Sequence, residues 1–314
     1  MWGKPRINTE SSGLRTTKIY QVDMIVQCDK SLHSKTIHPL INIGCLSDIS
    51  NTFIETGFYR IILKDRSSCP DFGRLCCDYQ DASVIFLSPE YSLSCLTSED
   101  LSFYKKSIFL SIHADLINTS AIKKHFNDYS FFNYRQNESL HISLREKKIL
   151  TTRFEDISDE LNWGIDKYTN ILISGKIELL LNYCKRFYTR QFITRSEVNR
   201  CIIQKTKRLI DEYFFMNKIS EKGLPTSDYC SNNLNLSSAY FEDLFNHETG
   251  MSIAEYIQLR RVHLAKERLC NTNKTVSCIA RELGYPSQQY FCKLFKKLSG
   301  YTPDEYRNPC RTIS

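Results

Sequence analysis

The last third of the chain contains one pattern written twice, and this internal repeat constrains the fold more than any other feature. A constant offset of 50 residues maps Tyr240 onto Tyr290 and Gly250 onto Gly300. Similarity at a fixed period of this size is typical of a repeated supersecondary unit. We therefore predict two copies of one small helical unit.

Each copy has the signals of helix, tight turn and helix. Asn235 and Gly284 occupy the position where a short turn needs positive φ, which Asn and Gly tolerate best. Ser237 and Ser287 are suited to cap the second helix of each copy. Apolar residues then recur at i, i+3 and i+4 in both copies, as Phe241, Leu244, Phe245, Phe291, Leu294 and Phe295. One copy alone would also fit a plain helical bundle, whereas two copies in register favour paired helix-turn-helix units.

Five segments of this region strongly resemble the AraC/XylS-type transcription regulators. They are residues Leu234–Ser237, Phe245–Gly250, Ile279–Tyr285, Tyr290–Lys296 and Gly300–Arg307. The region before them shows a weaker resemblance to the effector domain of such regulators from the Bacteroides group, carried by Phe131, Phe132 and residues 177–191. The resemblance implies an N-terminal cupin-like β-barrel, a helical hairpin and an all-α C-terminal domain with two helix-turn-helix units.

The pattern along the chain gives an α+β protein with four parts. Residues 1–18 are expected to form a flexible arm, 19–140 the cupin-like effector domain, 141–195 the helical hairpin and 196–314 the DNA-binding domain. Short apolar runs bounded by turn residues predict strands at 58–63, 83–87 and 108–112. Periodicity by itself indicates a sandwich or a barrel, and only the resemblance implies the cupin topology.

Two long helical patterns, at 144–161 and 166–188, follow the strands. The second is apolar on more than one face, so it is expected to pack against two surfaces. A hairpin packed wholly within the chain and a hairpin that also contacts a second subunit both fit this pattern, and the resemblance implies the homodimer. The candidate dimerisation residues are Ile173, Ile177, Leu180, Leu181 and Cys184.

Composition limits the remaining classes of function. The net charge of +7 permits a polyanionic partner without requiring one. The 13 cysteines are scattered without a CxxC pair, and the N-terminus does not resemble a secretory signal, so we expect reduced thiols and a cytoplasmic protein. No apolar run has the length of a membrane span, and no HxH or HExxH pattern predicts a metal site. His113 is expected to have a structural role, and no cofactor is expected.

The second copy presents the clearer DNA-binding face. In a helix-turn-helix, the N-terminal half of the second helix meets base edges in the major groove. Counting outward from the buried stripe, the base-facing residues are Gln288, Gln289, Cys292 and Lys293, and the family resemblance assigns base contacts to the same positions. Lys296 and Lys297 follow one turn later and suit phosphates.

The first copy differs in charge. Its corresponding positions are Ser238, Ala239, Glu242 and Asp243. Residues 223–250 contain four acidic and no basic residues, whereas residues 274–311 contain seven basic and three acidic ones. Contact of the first copy with bases therefore stays open, and Arg260 and Arg261 on the connecting helix are candidates for phosphate contacts.

These observations predict a sequence-specific regulator of transcription that is not an enzyme. It would dock two units in successive major grooves of double-stranded DNA as a dimer. Activation is the expected effect, and repression stays open as the alternative. RNA polymerase and an unidentified small-molecule effector are further partners that the resemblance allows. The alternative is a cupin-type small-molecule-binding protein or enzyme with an appended recognition module, and it predicts a bound metal. An RNA binder would require exposed aromatic platforms, whereas the aromatic residues of the repeats belong to buried stripes.

Overall fold

The computed structural model describes residues 38–45, 57–65, 72–90 and 107–312, and the predicted arm at 1–18 lies outside these ranges. The buried apolar side chains form two clusters. One contains the strands and the two long helices that follow them, and the other contains the C-terminal helices. The chain therefore has a mixed α and β N-terminal region followed by a helical C-terminal region.

Five strands form one antiparallel sheet in the order β1-β4-β2-β3-β5. They are β1 Ile41–Cys45, β2 Phe58–Asp65, β3 Ala82–Leu87, β4 Ile108–His113 and β5 Leu140–Ile142. Every residue of β3 is buried, because the sheet is covered on both faces there. The three strands expected from sequence are present, but among the described residues the sheet is open at β1 and β5. The barrel implied by the resemblance is therefore not observed in this part of the chain.

A short helix, α1 (Ala114–Thr119), follows β4, and its N-terminus is capped by the ring of His113, which accepts from the Asp115 N–H. Four 3₁₀ turns then lead through residues 121–138 to β5. The predicted hairpin consists of α2 (Leu144–Asn162) and α3 (Thr169–Thr194), which pack against each other and the sheet.

The structure corrects the residues assigned to the dimer interface. The five candidates on α3 are completely buried in the core of their own chain: Ile173, Ile177, Leu180, Leu181 and Cys184. They belong to the face of α3 that packs on the sheet region, so a second subunit cannot contact them without opening that core. The hairpin has other apolar residues that are exposed, and those at and near its tip are Trp163, Ile165, Tyr168, Ile171, Leu172 and Leu179.

The C-terminal region consists of eight helices: α4 Ser196–Phe215, α5 Ile219–Lys222, α6 Ser227–Asn233, α7 Ser238–Thr249, α8 Ile253–Asn271, α9 Val276–Glu282, α10 Gln288–Ser299 and α11 Pro303–Thr312. We call α6, its turn and α7 the first unit, and α9, its turn and α10 the second unit. The long helix α8 connects the two units. The predicted pair of helix-turn-helix units is thus present.

The local details of both units agree with the sequence. Asn235 and Gly284 have φ of 57° and 71°, so both turns use the left-handed conformation. Ser237 and Ser287 each cap their helix by accepting a main-chain N–H three residues later. Helix α8 begins with a capping box formed by Ser252 and Glu255. These features need only a few neighbouring residues, which is why the sequence predicts them well.

Arg195, between α3 and α4, joins the two regions through a buried ion pair. Its Nη2 lies 2.6 Å from Asp78 Oδ2 and its Nε lies 2.9 Å from Asp78 Oδ1. Its Nη1 also donates to the hydroxyl of Tyr240 on α7, at 3.2 Å. The side chains of Arg195 and Asp78 are 6% and 0% exposed. One residue therefore holds the loop before β3, the junction of the long helices and the first unit together.

A second buried group lies near this junction. The ring of His141 on β5 is 2.9 Å from the hydroxyl of Ser83 on β3, and its main-chain N–H donates to Gln191 on α3. Burial lowers the pKa of His141 to about 4, although the nearby carboxylate of Asp78 acts in the opposite direction. His141 is therefore a neutral hydrogen-bonding residue at pH 7.

Two findings bear on the expectations from composition. Among the described residues, no helix is long and apolar enough to cross a bilayer. Among the residues that the structure describes, seven cysteines carry free thiols, whereas Cys45 and Cys270 are each disulfide-bonded. The expectation of reduced thiols throughout is therefore wrong at these two positions, because sequence spacing does not reveal which sulfur atoms the fold brings together.

Candidate nucleic-acid interface

The second unit presents an open polar face. Gln288, Gln289 and Lys293 are exposed at the N-terminal half of α10, while Phe291 and Phe295 on the opposite side are completely buried. Lys296 and Lys297 are exposed one turn further on, and Cys292 is half-buried. The six predicted residues thus follow one helix, and the five with polar or charged tips extend from a fixed apolar base.

The scaffold under this face is held by the turn and by α8. The ring of Tyr285 lies 4.9 Å from that of Phe291 and is covered by the guanidinium of Arg261, whose Cζ is 3.7 Å from the ring centroid. Arg261 also donates from Nε to the main-chain oxygen of Leu283 at 2.9 Å. These contacts fix the turn of the second unit against the connecting helix.

The same contacts correct the assignment of Arg261 to DNA. Its side chain is buried, and burial lowers its pKa. It is therefore a support for the turn of the second unit and is not available to phosphates. Arg260 points the other way and forms an ion pair with Asp211 on α4, with Nε 2.6 Å from Oδ1. The structure thus gives Arg260 a partner inside the chain, on a helix that belongs to neither unit.

In the first unit, two of the four predicted base-facing residues, Ser238 and Asp243, have hydrogen-bond partners within the chain. Ser238 hydrogen-bonds to Asp228 and lies 3.1 Å from Ser231, both on α6. Asp243 accepts hydrogen bonds from the hydroxyls of Ser130 and Tyr134, which precede β5. Ala239 is half-buried, and Glu242 alone of the four predicted residues is fully exposed.

The residues that hold the first unit could not be identified directly from the sequence. Residues 130–138 lie directly against α7. Glu138 accepts from both the main-chain N–H and the hydroxyl of Ser237, at 2.7 and 2.5 Å. The one indirect signal in the sequence is that residues 223–250 contain no lysine or arginine.

The described residues do not contain a group of three or more His, Cys, Asp or Glu side chains close enough to hold a metal ion.

Comparison with known proteins places this arrangement in a family. A family model described as a helix-turn-helix domain matches residues 230–309. The regulatory protein SoxS of Salmonella typhimurium is 38% identical over 72 residues, which cover 23% of this chain and 67% of SoxS. AdaA of Bacillus subtilis, a bifunctional transcriptional activator and DNA repair enzyme, is 37% identical over 102 residues, or 32% of this chain and 46% of AdaA. The arabinose operon regulatory protein of Escherichia coli is 32% identical over 75 residues, or 24% of this chain and 26% of that protein.

These matches concern part of each protein. The chain spans 11%, 24% and 46% of the length of the first three curated relatives. SoxS is matched over two thirds of its length, and the family model includes all of α9 and α10 and most of the first unit. The chain therefore belongs to the AraC/XylS-type family of helix-turn-helix transcription regulators.

Proposed function

We propose that the chain is a sequence-specific regulator of transcription that binds double-stranded DNA through its second unit. The observation that carries this proposal is the exposed N-terminal half of α10, where Gln288, Gln289 and Lys293 extend from a buried base. A helix-turn-helix places this part of its second helix in the major groove. Glutamine pairs with adenine through N6 and N7, and lysine donates to guanine O6 or N7. The face can therefore read bases.

Lys293→Ala is expected to lose about 1–3 kcal/mol of binding free energy on the specific site and to relax sequence preference at one position. Lys296→Ala is expected to weaken binding to all DNA alike and to lower the salt slope of log K by about one unit, because it removes one phosphate contact. Binding constants for a selected duplex and for random DNA, each measured at two salt concentrations, separate the two effects.

Lys205 on α4 provides the matched control, since it is an exposed cation outside both units. Lys205→Ala should leave the preference between selected and random DNA unchanged. If Lys205→Ala and Lys293→Ala change the binding constants for both duplexes equally, α10 does not read bases.

We also propose that the protein acts as a homodimer through the outer face of its helical hairpin. Leu172 and Leu179 are seven residues apart on α3, so they lie on one face, and both are exposed. Ile171 and Trp163, 72% and 87% exposed, extend this apolar surface to the tip of the hairpin. We propose a second copy of the chain as the partner that covers this surface. A dimer links two DNA-binding regions, which raises affinity without new base contacts.

Sedimentation at micromolar concentration tests the dimer. The wild-type chain is expected to sediment as a dimer and Ile171→Glu as a monomer, since a charge at an apolar interface costs its desolvation. Arg186→Glu, an exposed residue further along α3, is the control and should stay dimeric. A wild-type monomer would exclude the proposal.

The family resemblance carries three further proposals about the whole protein. It acts in the cytoplasm, it responds to a small-molecule effector, and it activates transcription through contact with RNA polymerase. Activation is favoured over repression because AdaA is named as a transcriptional activator. Expression from a promoter fusion with and without the regulator measures the sign of its effect, and higher expression without it would reject activation. We propose no catalytic role, since the sequence before the first unit contains no clustered cysteines of the kind that a repair site requires.

A further inference from the structure

The segment of residues 130–138 contacts the first unit at its turn, at the start of its second helix and along one side of that helix. Arg135 donates to the side-chain oxygen of Asn235 at 3.2 Å. Glu138 bonds to Ser237 at the N-cap of α7. Tyr134 donates to Asp243 at 2.6 Å. The contact is therefore continuous from the turn to the second turn of α7.

Glu138 completes a capping box that the first unit lacks in its own sequence. Helices α8 and α11 begin with boxes in which a Glu three residues later binds the N-cap N–H, through Glu255 and Glu305. In α7 the third position is Tyr240, and the carboxylate of Glu138 takes that role from another part of the chain. Because the N-terminus of a helix attracts anions, the Glu138 carboxylate is well placed to stabilise the start of α7.

The second unit shows the same positions without such a covering. Tyr240 is 3% exposed beneath Tyr134, Phe192 and Arg195, whereas its counterpart Tyr290 is 51% exposed. Ser237 is buried, whereas Ser287 is exposed. The two units have the same local fold, so the difference comes from what packs against them.

The charges agree with this difference. Asp243 corresponds to Lys293 in the repeat. The unit that packs against residues 130–138 therefore has an acidic residue at this position, and the solvent-exposed unit has a basic one. Both hydroxyls that reach Asp243, from Ser130 and Tyr134, donate to it, and burial together with the charge of Asp243 raises the pKa of Tyr134 well above its usual value. Tyr134 therefore remains a donor at any physiological pH, and the pair suits an interface inside the protein better than a DNA groove.

We propose that residues 130–138 are an intramolecular docking segment that holds the DNA-facing side of the first unit, so that this unit engages DNA only when the segment leaves. The proposal rests on the DNA-binding function proposed above. It assigns Asp243 and Ser237 to the contact between the two regions, and it makes the second unit the reader of bases in the closed arrangement.

The test compares full-length wild-type protein with Glu138→Gln and Tyr134→Phe. The Glu138 carboxylate accepts three hydrogen bonds, from the Arg135 N–H, the Ser237 N–H and the Ser237 hydroxyl. Glutamine keeps the shape of Glu138, but its NH₂ group must face at least one of these donors, so at least one hydrogen bond is lost. Phenylalanine keeps the ring of Tyr134 and removes its bond to Asp243. Each protein is used to select duplexes from a random-sequence pool, and the selected duplex is footprinted with hydroxyl radicals.

The wild-type chain is expected to protect one major groove strongly, and both variants are expected to protect an adjacent groove as well. Their affinity for the selected duplex should rise about tenfold, because each variant weakens a charged hydrogen bond that must break before the first unit can bind DNA. Glu255→Gln is the matched control, because it weakens the equivalent capping box of α8 without touching the docking segment. It should not tighten binding.

Several outcomes would overturn the docking proposal while leaving DNA recognition intact. These are equal protection of two grooves by the wild-type chain, or no change of affinity and footprint in either variant. If no form of the chain selects a sequence, the proposed function fails. Amide hydrogen exchange then still decides the docking, since exchange at the start of α7 should accelerate in Glu138→Gln relative to wild type, and unchanged exchange would reject it. Tyr134→Phe carries the comparison if Glu138→Gln does not fold.

Discussion

Arg195→Ala is expected to destabilise the folded chain by about 3–5 kcal/mol, because it leaves the buried carboxylate of Asp78 without its positive partner. The same change removes the hydrogen bond from Arg195 to Tyr240, so α7 should also lose order. Urea unfolding followed by circular dichroism measures the loss. Arg200→Ala, which replaces an exposed arginine on α4, is the control and should change stability little.

The pH dependence gives this prediction a signature. Burial alone would raise the pKa of Asp78, but hydrogen bonds from Arg195 and the Leu75 N–H, with the charge of Arg195, hold it below its ordinary value. In the wild-type chain this stabilisation is present above the unfolded pKa of about 3.9 and is lost as pH falls through the folded value. In Arg195→Ala, burial dominates and raises the pKa of Asp78. The difference in unfolding free energy between wild type and variant should therefore shrink as the pH falls from 7 toward about 5. A difference in unfolding free energy that stays constant with pH would show that the ionisation of Asp78 does not depend on Arg195.

Gly284→Val is expected to destabilise the second unit through two separate costs. Gly284 has φ of +71°, where a β-branched residue is strained by about 1–3 kcal/mol. A Cβ at this position would also lie 2.7 Å from Cγ2 of Ile219, so overpacking adds about 1–3 kcal/mol. Thermal unfolding and binding to a selected duplex should both show the loss, since the turn positions α10.

Gly250→Val separates these two costs. Gly250 has the same φ of +71°, but a Cβ there meets nothing within 4 Å. It should therefore show the strain without the overpacking, and a smaller loss than Gly284→Val. Equal losses would mean that crowding against Ile219 is relieved at no cost, and unchanged stability in both would contradict the assigned turn geometry.

The sequence determined the two units almost completely, because their signals are local. Positive φ at Asn235, the caps at Ser237 and Ser287 and the apolar stripe of each second helix depend on residues within one or two turns of chain. The exposed face of α10 follows from the same stripe, since residues opposite a buried face of a helix must face solvent. The exposure of Gln288, Gln289 and Lys293 could therefore be predicted from the sequence.

The sequence could not assign side chains whose environment depends on distant elements. Arg261 looks like its neighbour Arg260 in the sequence, yet Arg261 stacks on Tyr285, 24 positions away, and Arg260 pairs with Asp211 on another helix. Likewise, α3 is apolar on several faces, and periodicity does not say which face meets the sheet. The residues proposed for the dimer turned out to be the inner ones for this reason.

The acidic first unit shows most clearly what the sequence determines and what only the tertiary structure determines. The sequence established that residues 223–250 contain no cation and that Asp243 stands where the second unit has Lys293. Only the tertiary structure decided what Asp243 faces, by bringing Ser130, Tyr134 and Glu138 against α7 across about a hundred residues of chain. A helix cap supplied by its own sequence can be predicted from four residues, whereas a cap supplied by another region exists only once both regions are folded and packed.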